Sequence, residues 1–467
     1  MFKFSFIYIG SFCFVLSVLS FCNIIYSYYF EIFNNIEVYT YTLIISLIFS
    51  SLFFLKKNKF KKISIYEKII SVSLGYFILP GIISMPYYFG LNYLSFIDSY
   101  FEAISGFTST GFSVFENVKH LDQSLLLWRS TSQWFGGLYF LISILFLIDI
   151  YDENYKKILT NFISLDITET IKQSTKILFV YTFITFALFI IYKIINLRSF
   201  DSFNLALTVI SSGGFLIVND ISEILQSNFQ IYIFSLSMLI SFFGILLSYN
   251  ILFLKKNDLL VFTEDYYLLV YFIFLVAIFF IFFNQFNNFS ITLFSLISSI
   301  SNIGFFFDNY NYNNFIFLIL IIIGGSLVST SSGLRFLKIF LLTKFSFNEL
   351  VSHSKPKHVL LNKVLFSKVK IGLSDINKYF FTVIIFILSL TLLICFLTLF
   401  NIEFDNAFKL SILTLMNTVN SSLHGLENLI FAEFSISIKF ILIVFMIIGR
   451  IEFISILILI KKFVIKN

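Results

Sequence analysis

Long apolar stretches separated by short polar connections recur along the whole chain. They lie near residues 1–26, 38–55, 67–90, 124–150, 172–196, 229–254, 264–284, 313–344, 378–400 and 434–460. Because about 20 apolar residues are enough to cross a membrane as a helix, the pattern predicts ten membrane-spanning helices. The first stretch is longer than the apolar core of about 7 to 15 residues in a secretory signal peptide, which favours a retained first helix.

Four shorter segments between the predicted spans have a different pattern, in which an amphipathic stretch ends in small polar residues. They read DSYFEAISGFTSTGF at 98–112, DSFNLALTVISSGGF at 201–215, SITLFSLISSISNIGF at 290–305 and DNAFKLSILTLMNTVNS at 405–421. The order span, short segment, span therefore occurs four times, which predicts an internal repeat. Simple loops, or helices packed through small residues, are the alternative interpretation.

The small polar runs predict a cation pathway lined by backbone carbonyl groups. A short helix that enters from the outer side and ends near the membrane centre directs the negative end of its dipole there. Four carbonyl runs around one axis can replace the hydration shell of a cation, and irregular backbone at that depth is tolerated only where it is buried or lines water. The candidate filter residues are Thr108, Ser109, Thr110, Gly111, Ser211, Ser212, Gly213, Gly214, Ser301, Asn302, Ile303, Gly304, Asn417, Thr418, Val419 and Asn420.

The composition agrees with a membrane protein and narrows the function classes. Of the 467 residues, 58% are hydrophobic and 12% are charged, whereas a soluble protein has about 25% charged residues. A large soluble catalytic domain is excluded because no long polar stretch is present. The three cysteines, at positions 13, 22 and 395, lie in apolar runs and are too scattered for a disulfide framework or a metal site.

Charged residues predict the orientation in the membrane. Basic clusters follow every second span, at residues 56–62, 156–157, 255–256, 335–378 and 461–466. The positive-inside rule makes this side cytoplasmic, so the four short segments lie on the outer side. Acidic residues gather on that outer side, where they would concentrate cations; ordinary solvated loops are the alternative.

From about residue 65 to the C-terminus, the chain resembles the Trk/Ktr/HKT superfamily of potassium transporters, in particular the bacterial TrkH/KtrB subunits. The segment at 98–112 looks like the first pore helix and filter of the family. LLLWRSTSQWFGGL at 125–138 looks like the following inner helix, and VISSGGF at 209–215 and SNIGF at 301–305 look like the second and third filters. GGSLVSTSSGLR at 324–335 is similar to the interrupted inner helix of the third repeat, and IIGRIE at 447–452 to the inner helix of the fourth.

The resemblance implies an all-α integral membrane protein with two N-terminal helices plus four helix–pore loop–helix repeats around a central pore. The implied units are residues 1–64 for the two additional helices, then 65–158, 159–257, 258–372 and 373–467 for the four repeats. The third repeat would carry an intramembrane gate loop and a basic cytoplasmic loop.

The fourth filter departs from the family pattern. Residues 417–422 read NTVNSS, and this reading places Asn420 where the family has a glycine. Asparagine tolerates the left-handed backbone conformation better than most side chains, so we expect Asn420 to replace the glycine. The selectivity between potassium and sodium then depends on this position.

A second candidate site lies on the inner side of the filter. The resemblance implies a gate loop formed by Gly324, Gly325, Ser326, Ser329, Thr330, Ser331, Ser332 and Gly333; a kinked helix packed through small residues is the alternative. Arg450 lies inside an apolar span, where an arginine costs about 2.5 to 3.5 kcal/mol. The resemblance implies that Arg450 is a positive barrier below the filter, and a structural salt bridge is the alternative.

The resulting prediction is a potassium-uptake subunit, and not an enzyme, in the bacterial cytoplasmic (inner) membrane. Potassium would be the transported ion, with Na+ or H+ as a candidate coupling ion. The resemblance also implies a homodimer and a cytosolic nucleotide-binding regulatory subunit of the TrkA/KtrA type, and no nucleic acid partner. A sodium-selective or poorly selective cation transporter is the alternative. A multi-span membrane enzyme is a remote one, since it would need catalytic acids or histidines clustered on one face.

Overall fold

The computed structural model describes residues 3–54, 64–151, 167–245, 263–282, 289–307, 314–354, 373–426 and 429–451. The first two helices, α1 (Lys3–Tyr29) and α2 (Ile36–Phe54), pack against each other. A buried hydrogen bond from the Ser20 hydroxyl to the Tyr39 carbonyl, at 2.7 Å, joins them. This pair lies against α3 and α6 of the unit that follows, rather than in the centre of the protein.

The rest of the described chain consists of four repeats, each with an outer helix, a short pore helix and an inner helix. The first contains α3 (Ile65–Ile83), α4 (Met85–Gly90), α5 (Phe96–Phe107) and α6 (Gln123–Tyr151); the second contains α7 (Ile167–Ile194), α8 (Ser199–Ser211) and α9 (Asn228–Phe242). The third contains α10 (Thr263–Phe282), α11 (Phe289–Ile300), α12 (Asn314–Ile322) and α13 (Phe336–Ser354); the fourth contains α14 (Leu373–Leu399), α15 (Phe404–Leu415) and α16 (Ile436–Arg450). Two short strands, β1 (Ile323–Gly324) and β2 (Leu334–Arg335), pair in parallel between α12 and α13.

The four repeats close into a ring because each inner helix packs against the pore helix of the next repeat. Thus α6 contacts α8, α9 contacts α11, α12 contacts α15, and α16 returns to contact α5. Glycines in two inner helices permit a close approach to the pore helix of their own repeat. A β-carbon added to Gly136 would lie 1.9 Å from the carbonyl oxygen of Phe107, and one added to Gly449 would lie 2.2 Å from that of Leu415. The residues that follow the pore helices therefore meet at the centre of the ring.

Six of the described helical segments are long and apolar enough to cross a membrane, judged by length and composition. The most apolar 18-residue stretch of Gln123–Leu147 is 100% buried in the protein, whereas that of Glu264–Ile281 is 28% buried. An apolar helix with so little protein contact has to present its side chains to lipid. The inner helix α6 thus forms the centre of the bundle, and the outer helix α10 forms part of its periphery.

Two predicted spans are interrupted in the structure. The span at 229–254 leaves the helix after Phe242, and the backbone N–H of Gly244 donates to the carboxylate of Asp265 at 2.9 Å. The span at 313–344 is divided into α12 and α13 by residues 323–335. The predicted boundaries at 158/159, 257/258 and 372/373 fall on or next to residues outside the described ranges, as do most of the basic clusters that predicted the orientation.

Candidate functional site

Each pore helix is ended by a residue in the left-handed backbone conformation. This residue lies one or two positions after the helix, and its φ is positive in all four repeats: Ser109 (59°), Ser212 (54°), Asn302 (58°) and Asn417 (47°). Asparagine occupies two of these positions because its short polar side chain tolerates this conformation. The left-handed residue directs the following backbone away from the helix axis, so all four pore helices are followed by an extended segment.

Backbone hydrogen bonds align the four segments residue by residue. Equivalent bonds run from Thr110 N–H to Ser105 O (2.9 Å), Gly213 N–H to Thr208 O (2.9 Å), Ile303 N–H to Ser298 O (3.1 Å) and Thr418 N–H to Leu413 O (3.0 Å). The residue that follows the N–H donor is Gly111 in the first repeat, Gly214 in the second, Gly304 in the third and Val419 in the fourth. The prediction that Asn420 replaces the fourth glycine is therefore wrong by one residue, because Asn417 takes the left-handed position and Val419 the glycine position. We refer to the four aligned segments, residues 108–111, 211–214, 301–304 and 416–419, by the predicted name of filter segments.

Side-chain hydrogen bonds join the filter segments of neighbouring repeats. Asn417 Nδ2 of the fourth repeat donates to Thr110 Oγ1 of the first at 2.9 Å, and Asn302 Nδ2 of the third donates to Thr418 Oγ1 of the fourth at 3.2 Å. The Ser212 hydroxyl of the second repeat donates to the Ser301 carbonyl of the third. These bonds fix the four segments relative to one another, since both partners of each bond are buried.

A cavity of about 410 Å³, referred to as the outer cavity, lies next to the filter segments on the side that the charge pattern predicts to be outer. Its lining includes the three glycines and Val419, together with Asn420 and Glu116. Three other acids on the predicted outer side form ion pairs with lysine side chains: Asp98 with Lys439 (2.6 Å), Glu223 with Lys119 (2.5 Å) and Asp405 with Lys409 (2.5 Å). Near the fourth segment, burial lowers the pKa of His424 to about 3, so its imidazole is neutral. The outer cavity is therefore less negative than the acid count of the sequence indicates.

A buried ion pair that the sequence did not single out supports the first two filter segments. Arg129 Nε donates to Glu102 Oε1 at 2.9 Å, and the two side chains are 2% and 0% exposed. Glu102 also accepts the Val114 N–H at 2.9 Å, while Arg129 donates to the Leu216 carbonyl at 3.2 Å and lies 4.1 Å from the ring centre of Phe215. The pair thus links the backbone after segment 1 to the backbone after segment 2. In the sequence, the only indication of this pair was that each of the two charged residues lies in an otherwise apolar segment.

Residues 323–335 form a folded loop directly on the inner side of the filter. The Thr330 hydroxyl donates to the carbonyl of Ile210, in the last turn of the second pore helix, at 2.8 Å. Arg335 holds the loop together by donating to the carbonyls of Ser326 (3.0 Å) and Ser331 (2.9 Å). The backbone leaves the helix at β1 and re-enters it after β2, so the alternative of a kinked helix is wrong. All eight predicted gate-loop residues lie in this segment, and all except Gly333 are buried.

The other side of the loop forms hydrogen bonds with the outer helix α10 and with the end of the inner helix α9. Glu264 of α10 accepts the Leu327 N–H at 3.0 Å and the Ser326 hydroxyl at 3.1 Å. The Ser326 N–H donates to the Phe242 carbonyl at 3.0 Å, at the point where α9 ends. Sequence reasoning placed Glu264 at the first position of the predicted span 264–284 and missed this contact, because the two partners are 63 positions apart.

Arg450 lies between the filter and the loop. It is buried at the end of α16, where its guanidinium donates to the hydroxyl of Ser332 in the loop and to that of Ser109 in segment 1 (3.4 Å). The guanidinium carbon lies 3.9 Å from the ring centre of Phe140. Within the described ranges no carboxylate forms an ion pair with Arg450, so the salt-bridge interpretation is not supported there. Among the described residues, the positive charge of Arg450 thus has no acidic partner at this end of the filter segments.

Comparisons with known proteins agree with this geometry. No family model matches the chain. The chain is 28% identical over 201 residues to an uncharacterized cation transporter of Methanocaldococcus jannaschii, covering 40% of this chain and 41% of that protein. It is 28% identical over 104 residues to the Trk system potassium uptake protein TrkH of Escherichia coli (22% of each) and 26% identical over 128 residues to TrkG of the same species (26% of each). The aligned regions thus span less than half the length of these relatives.

In structure, the chain matches the potassium transporter TrkH from Vibrio parahaemolyticus with a TM-score of 0.82, over 98% of both chains and at 20% sequence identity. The fold is therefore that of TrkH, and the chain is an all-α, multi-pass membrane protein. The resemblance that the sequence indicated to the Trk-type transporters is confirmed at this level.

Proposed function

With this fold as the premise, we propose that the protein is a potassium-uptake subunit of the bacterial cytoplasmic membrane and has no enzymatic activity. One observation carries the proposal: four backbone segments in equivalent conformations converge on one axis below a cavity. Such a site offers oxygen ligands without any reactive side chain, which suits the passage of a cation. The names of the sequence relatives, two Trk potassium uptake proteins and a cation transporter, support the same function.

In the proposed pathway, potassium enters the outer cavity and exchanges its water for backbone carbonyl oxygens of the four filter segments. The pore helices support this exchange because the negative ends of their dipoles point at the filter. Aspartates in the first turns of three pore helices, at positions 98, 201 and 405, stabilise the opposite, positive ends. The ion then has to pass the guanidinium of Arg450 and the loop at 323–335.

We propose that this loop and Arg450 form the gate. The loop contacts the inner end of a pore helix through Thr330, and Arg450 bridges the loop and segment 1, so both occupy the route of an ion that leaves the filter. The loop continues directly into α13 and, after it, into the basic region that ends at Lys378. A cytosolic nucleotide-binding regulator of the TrkA/KtrA type, acting on that region of a homodimer, would move α13 and withdraw the loop. Because the chain contains no Gly-Lys-Ser/Thr phosphate-binding motif, the driving force comes from the membrane potential, from a coupled ion or from this partner.

The proposal is tested by expressing the protein, together with a nucleotide-binding regulator of the TrkA/KtrA type, in a bacterium that lacks its own potassium uptake. We expect growth at low external potassium and uptake of radioactive rubidium, both absent with the empty vector. Absence of potassium-dependent growth and of rubidium uptake, with the protein present in the membrane, would contradict the proposal. Radioactive sodium uptake that exceeds rubidium uptake would instead favour a sodium-selective transporter.

A further inference from the structure

The side chain of Val419 contacts all three filter glycines of the other repeats. A β-carbon added to Gly214 would lie 2.6 Å from Val419 Cβ, and one added to Gly304 would lie 2.6 Å from Val419 Cγ1. A β-carbon added to Gly111 would lie 3.1 Å from both Cβ and Cγ2 of Val419. The space that three glycines leave empty is therefore occupied by the isopropyl group of the fourth repeat.

The position of these contacts places the isopropyl group on the pore axis. The ring order of the repeats makes the fourth repeat a neighbour of the first and the third, whereas the second lies opposite. A contact from Val419 to Gly214 therefore crosses the centre of the ring. Val419 is also half-buried and lines the outer cavity, so its side chain forms the floor of that cavity at the entrance to the filter.

An isopropyl group in this place has two consequences for a cation. It supplies no oxygen ligand, so an ion at this level is coordinated from fewer sides than in a ring of four glycines. It also takes up the volume through which the ion has to pass, and a β-branched side chain has few alternative rotamers. We propose that Val419 is an apolar plug that weakens cation binding at this level of the filter and limits the rate of cation entry. This inference rests on the proposed function, since it assumes that the filter segments line an ion pathway.

The test is a size series at this position in the purified, full-length protein. Val419→Gly, Val419→Ala and Val419→Ile are reconstituted in lipid vesicles, and radioactive rubidium uptake is measured under an imposed membrane potential. Val72→Ala, which removes the same atoms from a buried site in the outer helix α3, is the matched control. We expect uptake about tenfold faster in Val419→Gly, which corresponds to about 1.4 kcal/mol of barrier. Val419→Ala should be intermediate, Val419→Ile slower than wild type, and Val72→Ala unchanged per folded molecule.

A second measurement separates failure of the plug from failure of the proposed function. Rubidium binding to the detergent-solubilised protein is measured by equilibrium dialysis, because binding at the filter does not require transport. If the wild-type protein transports rubidium, an uptake rate that does not depend on the size of residue 419 overturns the plug. If neither wild type nor Val419→Gly transports rubidium, uptake as a function fails. The plug then stands if Val419→Gly binds rubidium more tightly than wild type, and falls if it does not. Gel filtration and thermal unfolding verify each variant, and Val419→Ala replaces Val419→Gly if the glycine variant does not fold.

Discussion

Removal of the charge of Arg450 should open the inner end of the pathway to cations. In the structure the guanidinium reaches the Ser109 hydroxyl at 3.4 Å and lies against the Phe140 ring. We take a separation of about 6 Å between this charge and a potassium ion at the innermost position of the filter segments. At an effective dielectric constant of about 20, two unit charges at this distance repel each other by about 2.8 kcal/mol.

A barrier of this size corresponds to about a hundredfold in rate, since each 1.36 kcal/mol is tenfold. Arg450→Ala should therefore raise basal rubidium uptake into vesicles by about ten- to a hundredfold, the lower value applying if water enters the space and screens the charge. Arg450→Lys is the matched control at mildly acidic pH, because burial lowers the pKa of a lysine and the ammonium group keeps its charge only below that pKa. Under that condition its uptake rate should remain within about threefold of wild type, since the same charge repels the ion.

The charge barrier is wrong if Arg450→Ala transports rubidium at the wild-type rate with the same preference over sodium. An equal rise in Arg450→Ala and Arg450→Lys would also contradict it, because the effect would then come from the lost bond to Ser332 rather than from the charge. A thermal unfolding measurement in detergent ensures that the variants are compared as folded proteins.

Three further predictions concern the gate loop, the buried pair and the fourth filter. Deletion of residues 329–332 should raise basal rubidium uptake, and an unchanged rate would exclude the loop as an obstruction. Arg129→Met leaves Glu102 buried without its partner and should lower the free energy of unfolding by about 3 to 5 kcal/mol, measured as a lower thermal midpoint; a midpoint equal to wild type would show that the pair does not hold the two segments together. Asn420→Gly should alter rubidium uptake less than Val419→Gly, because Val419 and not Asn420 occupies the glycine position, and the reverse order would restore the sequence-based assignment.

The fold could be predicted from the sequence because the features that specify it are periodic and local. Ten apolar stretches and four short amphipathic segments specify the spans and the repeats, and small polar residues after each short helix specify where the backbone has to leave it. The interruption between α12 and α13 was visible for the same reason, since glycines and serines replace apolar residues there.

The alignment of the fourth filter segment with the other three could not be predicted correctly from the sequence, because it was based on residue type. Asparagine is the usual substitute for a left-handed glycine, which favoured Asn420. The spacing from the first-turn aspartate was the better guide: it is 13 positions to Gly111 and Gly214 (111 minus 98, 214 minus 201), 14 to Val419 (419 minus 405) and 15 to Asn420. The contacts of Glu264 and of Arg450 depend on residues far apart in the chain, so no local pattern could reveal them.

The closure of the ring between α16 and α5 means that one polypeptide supplies all four sides of the pathway. In a channel built from four identical subunits, a mutation at the narrowest point changes all four sides at once. Here each side is encoded separately, so a single codon can alter one quarter of the lining while the other three keep their glycines. Because the four repeats lie in one polypeptide, the chemistry of the lining can change by one residue at a time, which is not possible in a symmetric assembly. The valine at position 419 is one such single change.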